Sequence, residues 1–420
     1  MYKPDSAMIT HRLNNGFTIA LEPISYVHSA SFGIWIKTGS AAETYEEAGL
    51  AHFLEHLFFK GTKTQSIHEI MDAIERRGGY LNASTSREYT TLYARMLEEH
   101  VSVGIDVLFD LLQNALFAEI EKERGVILEE IAAIEDTPDD FIHDLLSEFH
   151  WPDHPLGRPI SGYSKTVSAF TYEDFRRFYS AWYTPANMVF SIAGKFDPDK
   201  VLAQIEKIMS PVKAQDPPTM MGTPRFQSGV QAVHRPISQS HINIAFPGSS
   251  STCEDRFSCS VLTGILGGGS TSRLFERIRE DEGLAYNVYA YHTSHVSTGM
   301  LGIYEAVAPV NCDRALALTF EELNRIREES VKIDELESAR QQLKGSMLMA
   351  FEGSHARMAH MGKDLLFKGS VTPVDEIVAR VDAVTVDGIL EYAQSRFQKD
   401  SCAMIVLGPE PDKVSKEIRL

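Results

Sequence analysis

Two periodicities alternate along the chain. Residues 17–24 and 30–37 alternate apolar with polar side chains, the period of half-buried strands. Further strand candidates follow at 89–96, 188–193, 241–246, 286–292 and 402–407. Apolar positions three and four apart predict amphipathic helices over 67–77, 100–115, 122–135, 316–327 and 333–351. Strands that pair locally beside long helices predict an α+β architecture, antiparallel sheets with helices packed on one face.

The pattern breaks near the middle. Pro211, Pro217, Pro218 and Pro224 fall among few apolar residues, which predicts a semi-rigid linker over 211–228 between domains 1–210 and 229–420. The two parts share an order of features. Val167-Ser-Ala-Phe-Thr171 aligns with Val381-Asp-Ala-Val-Thr385, and Phe178, Tyr183 and Gly194 then fall opposite Tyr392, Phe397 and Gly408. After each glycine a Pro-Asp-Lys-Val sequence starts the next segment. Two homologous domains are the reading.

Composition narrows the choice of partner. With 40 Lys and Arg against 58 Asp and Glu, the net charge is −18, so a polyanion such as nucleic acid is a poor match. Residues 1–16 are polar, without the apolar core of an export signal, and no stretch reaches the ~18 apolar residues of a membrane span. The four cysteines form no CxxC pair and are too few for a disulfide framework in a chain of this size. A cytoplasmic protein that contacts no membrane is therefore expected.

The chemistry concentrates in His52-Phe-Leu-Glu-His56. Thr44 with Glu47 fits a capping box and Gly61 a helix stop, which places both histidines on one helix. Four residues apart, His52 and His56 share a face and are spaced to share a tetrahedral metal. Glu55 stands at the edge of that face, within reach of a water there. Catalytic zinc takes a third protein ligand, so a carboxylate that its own helix does not explain is needed. Ile127, Ile131 and Ile134 form an apolar stripe, and Glu130 falls within it. Glu123 lies two turns back on the same face, whereas Glu129 points toward solvent and is the second choice of ligand.

The inverted HxxEH motif, followed by Glu123-Arg-Gly-Val-Ile-Leu-Glu-Glu130, resembles the inverzincin peptidases, the pitrilysin, insulysin and mitochondrial processing peptidase family. Gly78–Thr85, His154–Ile160, Leu266–Phe275 and Arg279–Tyr286 resemble further segments of that family, in family order. The resemblance implies one zinc per chain held by His52, His56 and Glu130, with Glu55 as general base and Glu123 orienting a ligand histidine. It implies that Asn82 and Ala83 pair with an extended substrate backbone; by themselves they read as an ordinary edge strand. It further implies that Tyr286 donates to the tetrahedral oxyanion and that Arg279 holds substrate backbone or a carboxylate.

The expected activity is hydrolysis of peptide bonds in unfolded peptides or extended segments by a zinc endopeptidase of two similar domains facing each other across a cavity. A homodimer is the simplest assembly, and the acidic stretch 119–144 would favour basic peptides. The competing reading is a non-catalytic structural subunit of the same fold, against which the complete set His52, Glu55, His56 and Glu130 stands. A zinc-dependent peptide binder without turnover is a third. The Gly267-Gly-Gly269 run lacks a P-loop ending and fits no GxGxxG frame, so nucleotide binding is rejected.

Overall fold

The computed structural model describes residues 8–420. Residues 1–7, part of the polar N-terminal stretch in which no export signal is expected, lie outside the described residues. Eleven strands form two sheets among the described residues. The first contains β1 (Ile9–Arg12), β2 (Thr18–Pro23), β3 (Ser29–Ile36), β4 (Tyr80–Thr85), β5 (Thr90–Leu97) and β6 (Met188–Gly194), in the order β1-β2-β6-β3-β5-β4. The second contains β7 (Gly229–His234), β8 (Ser240–Gly248), β9 (Ala285–Ser294), β10 (Gly299–Val307) and β11 (Ala403–Gly408), in the order β7-β11-β8-β10-β9.

Without β1, the two orders are the same permutation of the chain. In each sheet the last strand lies second and runs parallel to the first: β2 beside β6, with Thr18 opposite Val189, and β7 beside β11, with Gly229 opposite Ala403. The third strand of each series, β4 or β9, forms an edge. Gly194 and Gly408 close the equivalent strands β6 and β11, as the internal alignment predicts.

Each sheet buries one face under several helices. In the first unit, Ile19, Phe32, Ile34, Leu92 and Phe190 meet side chains from the helices Leu50–Phe58, Val101–Asn114 and Tyr172–Trp182. In the second, Ile242, Ile244, Phe246, Leu301 and Ile303 pack on the helices Arg256–Gly267, Cys312–Glu328 and Val386–Arg396.

The opposite face of each sheet carries a helix drawn from elsewhere in the chain. Among the described residues, the first unit comprises 8–132, Pro159–Met221 and Met349–Val371; the second comprises Ala133–Arg158, Gly222–Leu348 and Thr372–Leu420. The change of unit between Met221 and Gly222 falls inside the 211–228 linker, but segments 133–158 and 349–371 also change units. Packing is the cause. Helix Ser354–Lys368 lays Met358 and Met361 on Trp35 and Val189 of the first sheet. There Arg357 forms a buried ion pair with Glu22 at 2.6 Å. Helix Pro138–His150 docks on β8 and β11 of the second sheet, where His143 Nε2 meets the Tyr289 hydroxyl at 2.9 Å.

Candidate metal centre

Helix Leu50–Phe58 carries both motif histidines, but it starts later than Thr44 and is capped differently from the expected box. The Thr44 backbone N–H does donate to Glu47, at 3.2 Å. The helix itself begins after Gly49, whose φ of +96° and contact with the Ser161 carbonyl leave no room for a side chain. Its first N–H groups are met from outside the helix. The buried Glu43 carboxylate accepts from Gly49 N at 2.9 Å and from Ala51 N at 2.7 Å. An acid at a helix N-terminus also suits the helix dipole.

One turn apart, the rings of His52 and His56 lie 4.9 Å apart. Both Nε2 atoms point to one oxygen of Glu130, at 3.8 Å from His52 and 3.7 Å from His56. These separations are too long for hydrogen bonds. They are close to the ~3.3–3.6 Å between atoms that bind one tetrahedral zinc at ~2.0–2.2 Å. His52, His56 and Glu130 each offer a donor atom, all within 4.8 Å of one another. Among the described residues no second group of histidine, cysteine or acid side chains does this. Burial, and then the neighbouring His56, pull the His52 pKa down to about 4. His52 is therefore a neutral imidazole at pH 7, as a metal ligand must be. The donor set fits zinc.

Helix Ile120–Asp136 supplies the acids as its period predicts, with Glu123, Ile127 and Ile131 buried and Glu129 exposed. Glu130 is half-exposed, at the rim of the apolar stripe. Glu123 Oε2 lies 3.3 Å from His56 Nδ1, and its Oε1 forms a 2.7 Å ion pair with Lys60. Lys60 escaped the sequence reading. The signal was its place four residues after His56, but the helix has ended by Phe58 and periodicity no longer applies. Glu55 faces Thr85 at the end of β4. Burial raises the Glu55 carboxyl above its ordinary range, with Thr85 and His56 opposing the shift.

Asn82 and Ala83 sit on the edge strand β4, paired on one side only, with Tyr93 and Leu92 of β5. Asn82 Oδ1 accepts from Ala83 N at 2.9 Å, and its Nδ2 donates to the Tyr80 hydroxyl at 2.8 Å. Arg279 and Tyr286 belong to the second unit and touch each other. Arg279 Nη1 donates to the Tyr286 carbonyl at 2.7 Å, and the guanidinium stacks on the Tyr286 ring at 4.8 Å. Helix Arg256–Gly267 of the second unit contains no histidine.

Two family models match the chain. The model described as "Insulinase (Peptidase family M16)" covers residues 18–164, and that described as "Peptidase M16 inactive domain" covers 169–343. An uncharacterized zinc protease of Bacillus subtilis, YmxG, is 37% identical over 93% of this chain and 96% of its own length. An uncharacterized zinc protease of Streptomyces coelicolor is also 37% identical, over 97% of this chain and 90% of its own. In fold, the chain is similar to a protease from Helicobacter pylori (TM-score 0.91, 20% identity, 97% of this chain and 100% of that one). It is also similar to a peptidase M16 inactive domain from Pseudomonas fluorescens (TM-score 0.89, 16% identity, 96% and 98%). No helix among the described residues is long and apolar enough to cross a membrane.

Proposed function

The chain belongs to peptidase family M16, the insulinase family, and from that premise we propose that it is a zinc endopeptidase acting on unfolded or extended peptides. The observation that carries this reading is the convergence of His52 Nε2, His56 Nε2 and a Glu130 oxygen beside Glu55, which comes from the same helix as the histidines. These three side chains would hold one zinc ion. When bound, zinc supplies a Lewis acid that polarises a carbonyl and brings the pKa of water near 7.

The chain's own groups supply the rest. Glu55 takes a proton from the attacking water and returns it to the leaving amine nitrogen, a transfer suited to a carboxyl raised above its usual range. Glu123 accepts from His56 Nδ1 and fixes the direction of that ring. On β4, an arriving peptide strand replaces the Asn82 amide on the Ala83 N–H, so its backbone is held extended. In the same reading the net charge of −18 favours basic peptides, and two copies of the chain associate.

The test is Glu55→Gln with a quenched-fluorescence peptide and a zinc assay. The variant should retain one zinc per chain and lose cleavage. Cleavage at the wild-type rate would remove Glu55 from the role of base. Purified protein without zinc would overturn the enzyme class.

A further inference from the structure

The helix Ser354–Lys368 leaves one corner of its own sheet open. On the face that it covers, Val189 and Trp35, paired across β6 and β3, are buried with Met358 and Met361. Strand pairing carries the same row outward: Val189 lies opposite Thr18 of β2, and Thr18 opposite Arg12 of β1. Residues opposite one another point to the same face, so Thr18 and Arg12 stand on the helix side as well. Gly369, with φ of +73°, ends the helix after Leu365 and Leu366. Beyond that end lies a cavity of about 430 Å³, with Arg12, Thr18, Lys37, Val189, Leu365 and Leu366 in its wall. Every residue lining it belongs to the first unit.

The charge of this cavity is opposite to that of the chain. Acids outnumber lysine and arginine by 58 to 40, yet no aspartate or glutamate lines it. Arg12 and Lys37 do, and among the described residues neither forms an ion pair with an acid. The Lys37 ammonium instead lies 5.6 Å from the centre of the Phe367 ring. His11, also at the cavity, is already engaged by Glu206 at 3.1 Å. Two cations without acid partners on a concave wall attract an anion.

We propose that the cavity binds a small organic anion, a carboxylate or phosphate head on an apolar body. Its volume is that of a small-molecule site. Arg12 takes the head through paired N–H donors and Lys37 as a point charge, with the Thr18 hydroxyl beside them. Val189, Leu365 and Leu366 cover the body. The carbonyls that end the helix are partly negative, so the body and not the head faces Gly369. This site is separate from the metal centre. Glu55 meets Thr85 at the end of β4, and β4 and β1 are opposite edges of the sheet.

The experiment titrates N-acetyl-leucine and phenyl phosphate, one for each head, into the full chain by calorimetry at low salt. N-acetyl-leucinamide, which keeps the body without the charge, and inorganic phosphate, which keeps the charge without the body, are the controls. One of the two anions should bind at least ~10-fold more tightly than its control, and which one binds identifies the head. Arg12→Gln and Lys37→Gln should each weaken that binding on the order of 10-fold or more. Added salt should weaken it too. Binding that survives both substitutions would overturn the site. N-acetyl-leucinamide binding as well as the acid would do the same, since the cations would then play no part. Inorganic phosphate binding as tightly as phenyl phosphate would leave the apolar wall without a role and overturn the ligand class. If neither anion binds and both substitutions lower the thermal midpoint, the two cations serve the helix end alone and the proposal falls. None of these outcomes touches the Glu55→Gln result.

Discussion

Glu123 Oε2 lies 3.3 Å from Nδ1 of His56, across the imidazole from Glu130. A carboxylate only accepts, so Nδ1 carries the proton and Nε2 turns its lone pair toward Glu130. Lys60 holds the other Glu123 oxygen at 2.7 Å, which fixes the carboxylate in turn. The second histidine has no such partner: among the described residues nothing hydrogen-bonds to the buried Nδ1 of His52. Orientation of the pair therefore depends on one acid. Glu123→Ala should weaken zinc binding about 10–100-fold, as loss of a group behind a ligand does, with the fold retained. Lys60→Met should give a smaller loss in the same direction. Competition with a chromogenic chelator measures both.

Glu43 is a second point of control on the same helix. Its carboxylate accepts from Gly49 N and Ala51 N while only 3% exposed, so its removal leaves two donors with poor access to water. Glu43→Ala should cost about 1–3 kcal/mol for each donor left unmet. Both histidines follow in the next two turns, so zinc affinity should fall along with stability. Denaturant unfolding with and without zinc would show both effects. Glu47→Ala, which removes contacts to Thr44 and to the exposed Arg177, should change neither by more than about 1 kcal/mol.

Periodicity made much of this centre legible. The i, i+4 histidines, the buried Glu123 and the solvent-facing Glu129 all lie where helical spacing puts them. What it missed depends on partners far along the chain or on local irregularity. Glu43 caps a helix to which it does not belong, so the start of that helix was misplaced toward Thr44. Amphipathic patterns show that 354–368 and 138–150 each need a partner, but not which sheet they cover. Both helices lie on the sheet formed by the other half of the sequence. The contact of Arg279 with the Tyr286 carbonyl follows from a π-helix and a bulge, neither of which has a period to read.

The helix Ser354–Lys368 should be detachable from the first sheet by a single atom. Gly362 lies against the Trp35 indole so closely that a Cβ there would overlap it. The indole is fixed in place: Trp35 Nε1 donates to Ser191 Oγ at 2.8 Å, and that hydroxyl donates to the Met358 carbonyl at 2.9 Å. Neither side has a soft direction to yield in. Gly362→Ala should therefore cost about 1–3 kcal/mol despite the helix propensity it gains. The loss should appear as a lower unfolding midpoint and a shift in Trp fluorescence. Gly369→Ala, at a left-handed C-cap with no neighbour within 4 Å, serves as the comparison for backbone strain without overlap.

Acid should weaken the second unit through His150. This residue ends the helix Pro138–His150 fully buried, with rings of Trp151 and Phe226 at 5.4 and 4.8 Å. Its polar contact is with the Gln227 backbone, which opposes the effect of burial only in part. Desolvation lowers its pKa from 6.5 to about 4, so the folded state holds the neutral form. Between those values the unfolded chain binds a proton that the folded chain does not. The contribution is thus complete above pH ~6.5 and is lost as the pH falls toward 4. At pH 5 the loss from this one group is about 2 kcal/mol. His150→Phe should remove that slope, because an apolar ring has no proton to take up. Denaturant unfolding of metal-free protein at pH 7.5 and pH 5 measures the difference. Equal pH dependence in wild type and variant would place the acid sensitivity elsewhere.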